Sequence, residues 1–149
     1  MRTRPEAVLV TVGYEGRSAA ELVSALAEAD VRVLADVRLT PSSRKPGLSK
    51  GRLAASLAAA GIEYLHLPAL GNPRDNRELF RKGDPGSRAR FRELLGAPPA
   101  RAALAELEAR IPGERVALLC FERDPGRCHR LLVSEQLLDR DPGLAVRHL

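Results

Sequence analysis

Short apolar runs alternate with amphipathic segments along the whole chain. The runs are bounded by glycine, proline or charged residues, as expected of buried parallel strands, and they lie at 7–12, 31–35, 62–67 and 116–119. Between them, apolar residues recur at helical spacing. Ser18 and Glu21 have capping-box spacing at the start of the first such segment, and Ser49 is placed to cap the second. Residues 144–146 form a short fifth apolar run.

This alternation predicts an α/β fold in one domain covering residues 1–149. The sheet is expected to be mainly parallel, with about four to five strands flanked by helices in a Rossmann-like three-layer arrangement. Val8–Val12 and Val116–Leu119 are the most apolar strands, so they are predicted to be neighbours in the middle of the sheet. Two short helices, broken near 83–86, are predicted within the irregular segment 70–96.

The loops that follow parallel strands gather at one edge of a sheet, where ligands bind near the point at which the strand order reverses. Five loops rich in polar residues are therefore expected to converge. They are residues 13–17, 36–44, 66–71, 120–122 and 127–130.

Most of the reactive side chains follow the 116–119 strand. Both cysteines of the chain, Cys120 and Cys128, lie there with Glu122 and His129. A helix is predicted to begin nearby, and the positive potential of a helix N-terminus lowers the pKa of a thiol. We therefore predict that Cys128 or Cys120 is the reactive group and that Glu122 and His129 carry protons. Cys120 can instead be a buried packing residue whose thiol resists ionisation, which is the commonest role of a free cysteine.

A metal site is an alternative use of the same side chains. Cys120, Cys128 and His129, with His66 as a fourth candidate, offer nitrogen and sulfur ligands. Their spacing matches no common zinc motif, and two adjacent residues on one helical turn point about 100° apart. The sequence therefore predicts no metal site, and it identifies no cofactor. His66 is interpreted as a hydrogen-bonded residue at the edge of the core rather than a base.

Arginine-rich loops indicate an anionic ligand, because the guanidinium fork matches phosphate and carboxylate oxygens. Glycines in the first loop would let backbone amides approach that ligand closely. The predicted anion-binding residues are Gly13, Tyr14, Asp36, Arg38, Ser43, Arg44 and Arg130. Asp36 can instead pair structurally with Arg130.

The net charge of +5 arises between residues 37 and 62, where five basic side chains occur without an acid. A second basic stretch covers residues 74–92. Such local fields favour anionic partners, either a small anionic ligand or nucleic acid. The aromatic content of 3% leaves little surface for stacking bases. The alternative to an enzyme is thus a non-catalytic nucleic-acid-binding module that uses the basic loops 38–52 and 74–92.

Two cysteines do not make a disulfide scaffold, so a reducing cytoplasm is the expected location. No apolar run reaches membrane-spanning length, and no membrane partner is expected. A redox-sensing or partner-regulated domain that uses the cysteine pair is a third possibility. The sequence does not determine the oligomeric state.

Four groups of residues span nearly the whole chain. They are Thr11–Tyr14; Asp36–Arg38 with Pro41, Ser43 and Arg44; Gly61–Tyr64 continuing to Leu70 and Gly71; and Leu119–Glu122 with Cys128–Arg130. In this order they resemble the uncharacterised bacterial family catalogued as domain of unknown function 488. The resemblance implies a small α/β domain with its site among these loops, and it implies no substrate. The leading hypothesis is a cytosolic enzyme that acts on a small anionic substrate, phosphorylated or nucleotide-like.

Overall fold

A computed structural model describes residues 7–149 of the chain. Residues 1–6 of the predicted domain lie outside the described residues. The strands are β1 (Val8–Gly13), β2 (Val33–Asp36), β3 (Glu63–His66), β4 (Val116–Cys120) and β5 (Ala145–His148). The α-helices are α1 (Ala19–Glu28), α2 (Lys50–Ala59), α3 (Arg77–Arg81), α4 (Pro85–Leu95), α5 (Pro98–Arg110) and α6 (Arg130–Arg140). Single 3₁₀ turns occur at Pro68–Leu70, Arg74–Asn76 and Pro125–Arg127.

Within residues 7–149 the five strands form one sheet in the order β3-β2-β4-β1-β5, and every neighbouring pair is parallel. The predicted parallel α/β fold is therefore confirmed. β4 is the central strand and lies beside β1, with Leu9 opposite Val116 and Gly13 opposite Cys120. All residues of β4 are buried, because helices cover both faces of the sheet.

Two hydrophobic layers separate the helices into two groups. α1 and α2 pack on one face, where Leu22 and Leu53 meet Val10 and Val12. Helices α4, α5 and α6 pack on the other face. The helix after β1 (α1) and the helix after its neighbour β4 (α6) therefore lie on opposite faces of the sheet. The carboxyl ends of these two strands are the topological switch point.

Local signals account for the first two helices to different degrees. Ser18 and Glu21 form the predicted capping box at the start of α1. Ser49 stands at the N-cap of α2, but its hydroxyl makes no capping hydrogen bond. It accepts from the Ser43 amide and donates to the Ser43 carbonyl, so the predicted capping role of Ser49 is wrong.

The segment 70–96 is anchored to the core. It contains the two predicted short helices, α3 and α4, with Gly83 at a φ of +79° between them. Phe80 and Phe91 are buried and meet edge to face, with their ring centres 6.0 Å apart. None of the helices described between residues 7 and 149 is long and apolar enough to cross a bilayer.

Candidate active site

A cavity of about 240 Å³ opens at the switch point, beside the carboxyl ends of β1, β2 and β4. Its lining includes three of the predicted reactive side chains, Cys120, Glu122 and His129. Four arginines also line it, namely Arg38, Arg77, Arg81 and Arg127. Thiol, imidazole and carboxyl groups therefore share one small space with several cations.

Cys120, Cys128 and His129 form a buried group that we call the thiol–imidazole cluster. Nδ1 of His129 lies 3.5 Å from Sγ of Cys120 and 3.8 Å from Sγ of Cys128. These three atoms all lie within 4.8 Å of one another. Cys120 lines the cavity and Cys128 does not, and Cys128 is only 1% exposed. Of the two predicted reactive thiols, Cys120 is thus the one that a ligand in the cavity can reach.

The backbone before α6 explains why the cluster forms. Cys128 is extended, with φ −119° and ψ 141°, and α6 begins only at Arg130 with His129 as its N-cap. The two adjacent side chains therefore do not diverge as they would on one helical turn. The sequence-based objection to convergence of Cys128 and His129 is wrong, because the helix begins after both residues.

The ring of His129 is fixed by a second hydrogen bond. Its Nε2 lies 2.8 Å from the carbonyl oxygen of Val37, which can only accept, so Nε2 carries a proton. In the neutral ring, Nδ1 then presents its lone pair to both sulfur atoms. The edge-to-face packing of Phe91, with ring centres 5.3 Å apart, further restrains the imidazole.

Interactions within the cluster shift the pKa values of the two thiols in opposite directions. Burial raises the pKa of Cys128, but the hydrogen bond from Cys120 and the nearby His129 outweigh burial, and this pKa lies well below its ordinary value. The interaction with Cys128, followed by burial, raises the pKa of Cys120. Burial lowers the pKa of His129, yet the attraction of Cys128 raises it overall. The pKa values of the two thiols are thus shifted in opposite directions, down for Cys128 and up for Cys120.

Asp36 and Arg38 form a buried ion pair beneath the cavity. Nη2 of Arg38 lies 2.7 Å from the Asp36 carboxylate, which also accepts a 2.5 Å hydrogen bond from Tyr64. Nη1 of Arg38 donates to the carbonyl of Leu48 at 2.8 Å. Burial lowers the pKa of Arg38, but the Asp36 hydrogen bonds and charge raise it overall. Asp36 therefore pairs with Arg38 and not with Arg130, and most donors of Arg38 are already occupied.

The two residues predicted from the first loop have different surroundings. Tyr14 lines the cavity, and the guanidinium of Arg38 lies 5.3 Å from the centre of its ring. Gly13 is needed for backbone packing, because a Cβ there would lie 1.9 Å from the carbonyl oxygen of Glu122. The missing side chain of Gly13 allows the end of β1 to approach the segment after β4. Gly13 therefore has a structural role, which differs from the predicted contact with an anion.

Five of the predicted anion-binding residues do not line the cavity: Gly13 and Asp36, described above, and Arg130, Ser43 and Arg44. Arg130 is fully buried and donates to the carbonyls of Glu122 and Arg123 at 2.5 and 3.2 Å, which holds the segment after β4 in place. Ser43 accepts a hydrogen bond from the amide of Lys45 within its own loop. Arg44 is exposed.

Their place is taken by arginines from two other segments. Arg81 donates to the Glu122 carboxylate at 2.9 Å, and Nε of Arg77 lies 3.4 Å from a backbone carbonyl. Arg127 comes from the 3₁₀ turn before Cys128. Between residues 7 and 149, neither Arg77 nor Arg127 forms an ion pair with a carboxylate. The basic composition of 74–92 was the only sequence signal for Arg77 and Arg81, and it does not show which of its arginines face the cavity.

Several other basic side chains of the loops 38–52 and 74–92 bind backbone carbonyls or carboxylates of the protein itself. Nζ of Lys45 donates to two backbone carbonyls of the first loop at 3.1 and 3.2 Å. Within 74–92, Lys82, Arg90 and Arg92 form ion pairs with nearby carboxylates. The nucleic-acid-binding module remains a prediction from composition.

His66 lies outside the thiol–imidazole cluster. Its Nε2 lies 2.8 Å from the carbonyl oxygen of Arg38. The carbonyl that contacts Nε2 of His129 belongs to the preceding residue, Val37. The interpretation of His66 as a hydrogen-bonded residue at the core edge is confirmed. The two histidines thus make the same kind of backbone contact, and only His129 also faces the sulfur atoms.

A family model described as domain of unknown function DUF488 matches residues 18–137. The chain belongs to this family. The matched range includes the whole thiol–imidazole cluster and the arginines that line the cavity. Comparisons with curated proteins and with solved structures found no match.

Proposed function

We propose that this DUF488 protein is an enzyme that acts on a small anionic substrate within the cavity. One observation carries the proposal: Cys120, Glu122 and His129 line the same cavity as two arginines that have no carboxylate partner among the described residues. Groups capable of nucleophilic and acid–base chemistry lie beside groups suited to bind an anion.

Arg77 and Arg127 form the anion-binding side of the site. Their guanidinium groups have no carboxylate to neutralise them within residues 7–149, so an entering anion gains charge-assisted hydrogen bonds. The hydroxyls of Thr40 and Ser42 line the same space and can accept or donate around the anion. A volume near 240 Å³, below the range of about 300–1,000 Å³ usual for drug-sized ligands, suits a small phosphorylated molecule.

Cys120 and Glu122 form the reacting side. Oε2 of Glu122 lies 3.6 Å from Sγ of Cys120, and Oε1 is held by Arg81 at 2.9 Å. The carboxylate is therefore oriented toward the sulfur and available to carry a proton to or from the substrate. Cys128 lies on the buried side of Cys120, and Nδ1 of His129 lies 3.5 Å from the Cys120 sulfur.

Binding of inorganic phosphate and of a nucleoside monophosphate, measured by calorimetry, tests the anion site. Arg77→Gln and Arg127→Gln each remove a charge-assisted hydrogen bond, worth about 1.5–3 kcal/mol, so each is expected to weaken binding by about 10- to 100-fold. Arg44→Gln is the matched control, because Arg44 is an exposed arginine outside the cavity. Equal losses for Arg44→Gln and Arg127→Gln would mean that binding reflects the general positive field.

Turnover is tested separately, with a panel of nucleotides and phosphorylated small molecules followed by NMR. Glu122→Gln is expected to lower the rate on any accepted substrate by about 10²- to 10⁴-fold, as loss of a proton carrier does, while anion binding persists. Tight binding across the panel with no turnover of any member would favour the binding-module alternative over an enzyme.

A further inference from the structure

We infer that Cys120, Cys128 and His129 form a binding site for a thiophilic divalent cation, Zn²⁺ before others, with an open coordination position on the cavity side. The use of this metal as a catalytic cofactor rests on the proposed function. Binding of the metal does not depend on that function.

The distances fit a tetrahedral ion. Zinc bonds of about 2.3 Å to sulfur and about 2.0–2.1 Å to nitrogen, at tetrahedral angles, separate the two ligand atoms by about 3.5–3.6 Å. In the cluster, Nδ1 of His129 lies 3.5 Å from one sulfur and 3.8 Å from the other. The same geometry requires the two sulfur atoms to lie about 3.8 Å apart. All three ligand atoms lie within 4.8 Å of one another, so small side-chain movements bring them to one ion.

The orientation of His129 matches that of a metal ligand. A histidine that binds metal through one nitrogen usually donates its other N–H to a carbonyl or carboxylate, which fixes the ring and its tautomer. Nε2 of His129 makes this contact with the Val37 carbonyl at 2.8 Å, and Nδ1 is left to face both sulfur atoms. The second histidine at this edge of the sheet, His66, has the carbonyl contact but does not belong to the group formed by the two cysteines.

The charges also balance. Binding of Zn²⁺ displaces two protons from the cluster, which leaves two thiolates that neutralise the dication and an uncharged imidazole. No net charge is then added to a group in which all three residues are buried. Nitrogen and sulfur ligands of this kind favour Zn²⁺ over Mg²⁺ or Ca²⁺, which prefer oxygen.

The cavity gives the ion a place for a fourth ligand. Cys120 and His129 line it, whereas Cys128 lies behind them, so the open position faces the space where the anion is proposed to bind. Three protein ligands with one open position are typical of catalytic rather than structural zinc. Glu122, whose Oε2 is 3.6 Å from the Cys120 sulfur, is placed to accept a proton from water at that position.

The test uses the full chain, kept reduced and stripped of metal with a chelator. Titration with Zn²⁺, followed by elemental analysis, is expected to give one ion per chain. Co²⁺ in its place is expected to give the visible absorption of a tetrahedral thiolate complex. Loss of a hydrogen bond to a metal-binding side chain typically lowers the metal affinity by about 10- to 100-fold. His129→Asn and Cys128→Ser each remove a ligand itself, so each should lower the affinity for Zn²⁺ by more than this.

His66→Asn is the matched control. This variant loses a contact to the Arg38 carbonyl that is as long as the contact between His129 and the Val37 carbonyl. It removes no proposed metal ligand, so one ion per chain should remain. Because substitutions in a buried cluster can prevent folding, circular dichroism accompanies each variant, and the zinc-dependent rise in the melting temperature of the unmodified protein is a second readout. No stoichiometric metal in the reduced, unmodified protein, a Cys120–Cys128 disulfide in its place, or equal loss in both histidine variants would overturn the inference.

Phosphate binding to the metal-free protein distinguishes the two proposals. If phosphate binds with the expected dependence on Arg127 but no metal is taken up, the metal inference fails and the anion site stands. If the ion binds but neither anion binding nor turnover is found, the metal site stands and the proposed enzyme fails.

Discussion

Removal of the Arg38 guanidinium is expected to destabilise the protein strongly, because it leaves a buried carboxylate without its partner. The side chains of Arg38 and Asp36 are 5% and 0% exposed. In Arg38→Met, the Asp36 carboxylate keeps hydrogen bonds from the residue 38 amide and from Tyr64 but loses its cation. Breaking a buried pair in this way costs about 3–5 kcal/mol of the free energy of unfolding. For a domain of this size, the melting temperature should fall by about 6–20 °C.

Urea unfolding and thermal melting followed by circular dichroism measure this loss. The double variant Asp36→Asn with Arg38→Met should recover part of it, because no uncompensated charge remains. Arg110→Met is the control, since Arg110 pairs at the surface with the half-exposed Glu63 and should cost only about 0–1 kcal/mol. If Arg38→Met is no more destabilising than Arg110→Met, Arg38 does not serve the fold and its assignment as a structural residue is refuted.

Two further outcomes follow from close packing and from proton binding. Gly13→Ala should lower the melting temperature, since the new Cβ would overlap the Glu122 carbonyl, whereas Gly51→Ala, a helical position with open space around it, should be neutral or stabilising. Equal effects of the two changes would contradict the packing argument. Burial, followed by the hydrogen bond to Asp36, raises the pKa of Tyr64, so the folded state keeps a phenol proton that the unfolded chain loses near pH 10. The stability from this proton is fully present below pH ~10 and is lost as pH rises further, so an absorbance titration should show one phenol in the folded protein that resists ionisation, absent in Tyr64→Phe.

The sequence predicted the parts of the fold that depend on local periodicity. Apolar runs such as Val116–Leu119 indicate strands buried on both faces, and their alternation with helical segments requires a parallel sheet. The convergence of Tyr14, Arg38 and Cys120 at one edge follows from that topology, because loops after parallel strands meet there.

The rest of the candidate site depends on details that periodicity does not contain. Because α6 begins only at Arg130, Cys128 is extended and its sulfur lies beside the His129 ring. The basic composition of 74–92 did not reveal that Arg77 and Arg81 face the cavity, because their direction depends on how Phe80 anchors the segment to the core. The sequence predicts Arg130 as a ligand contact because it does not show that backbone carbonyls accept from both terminal nitrogens of the guanidinium, Nη1 and Nη2.

The most direct test of the central proposal is a crystal structure of the protein with inorganic phosphate or a nucleoside monophosphate. The account predicts an anion in the cavity, within hydrogen-bonding distance of Arg77 and Arg127 and beside Cys120. An anion found only on exposed basic side chains such as Arg44, with the cavity free of ligand at saturating concentration, would contradict it.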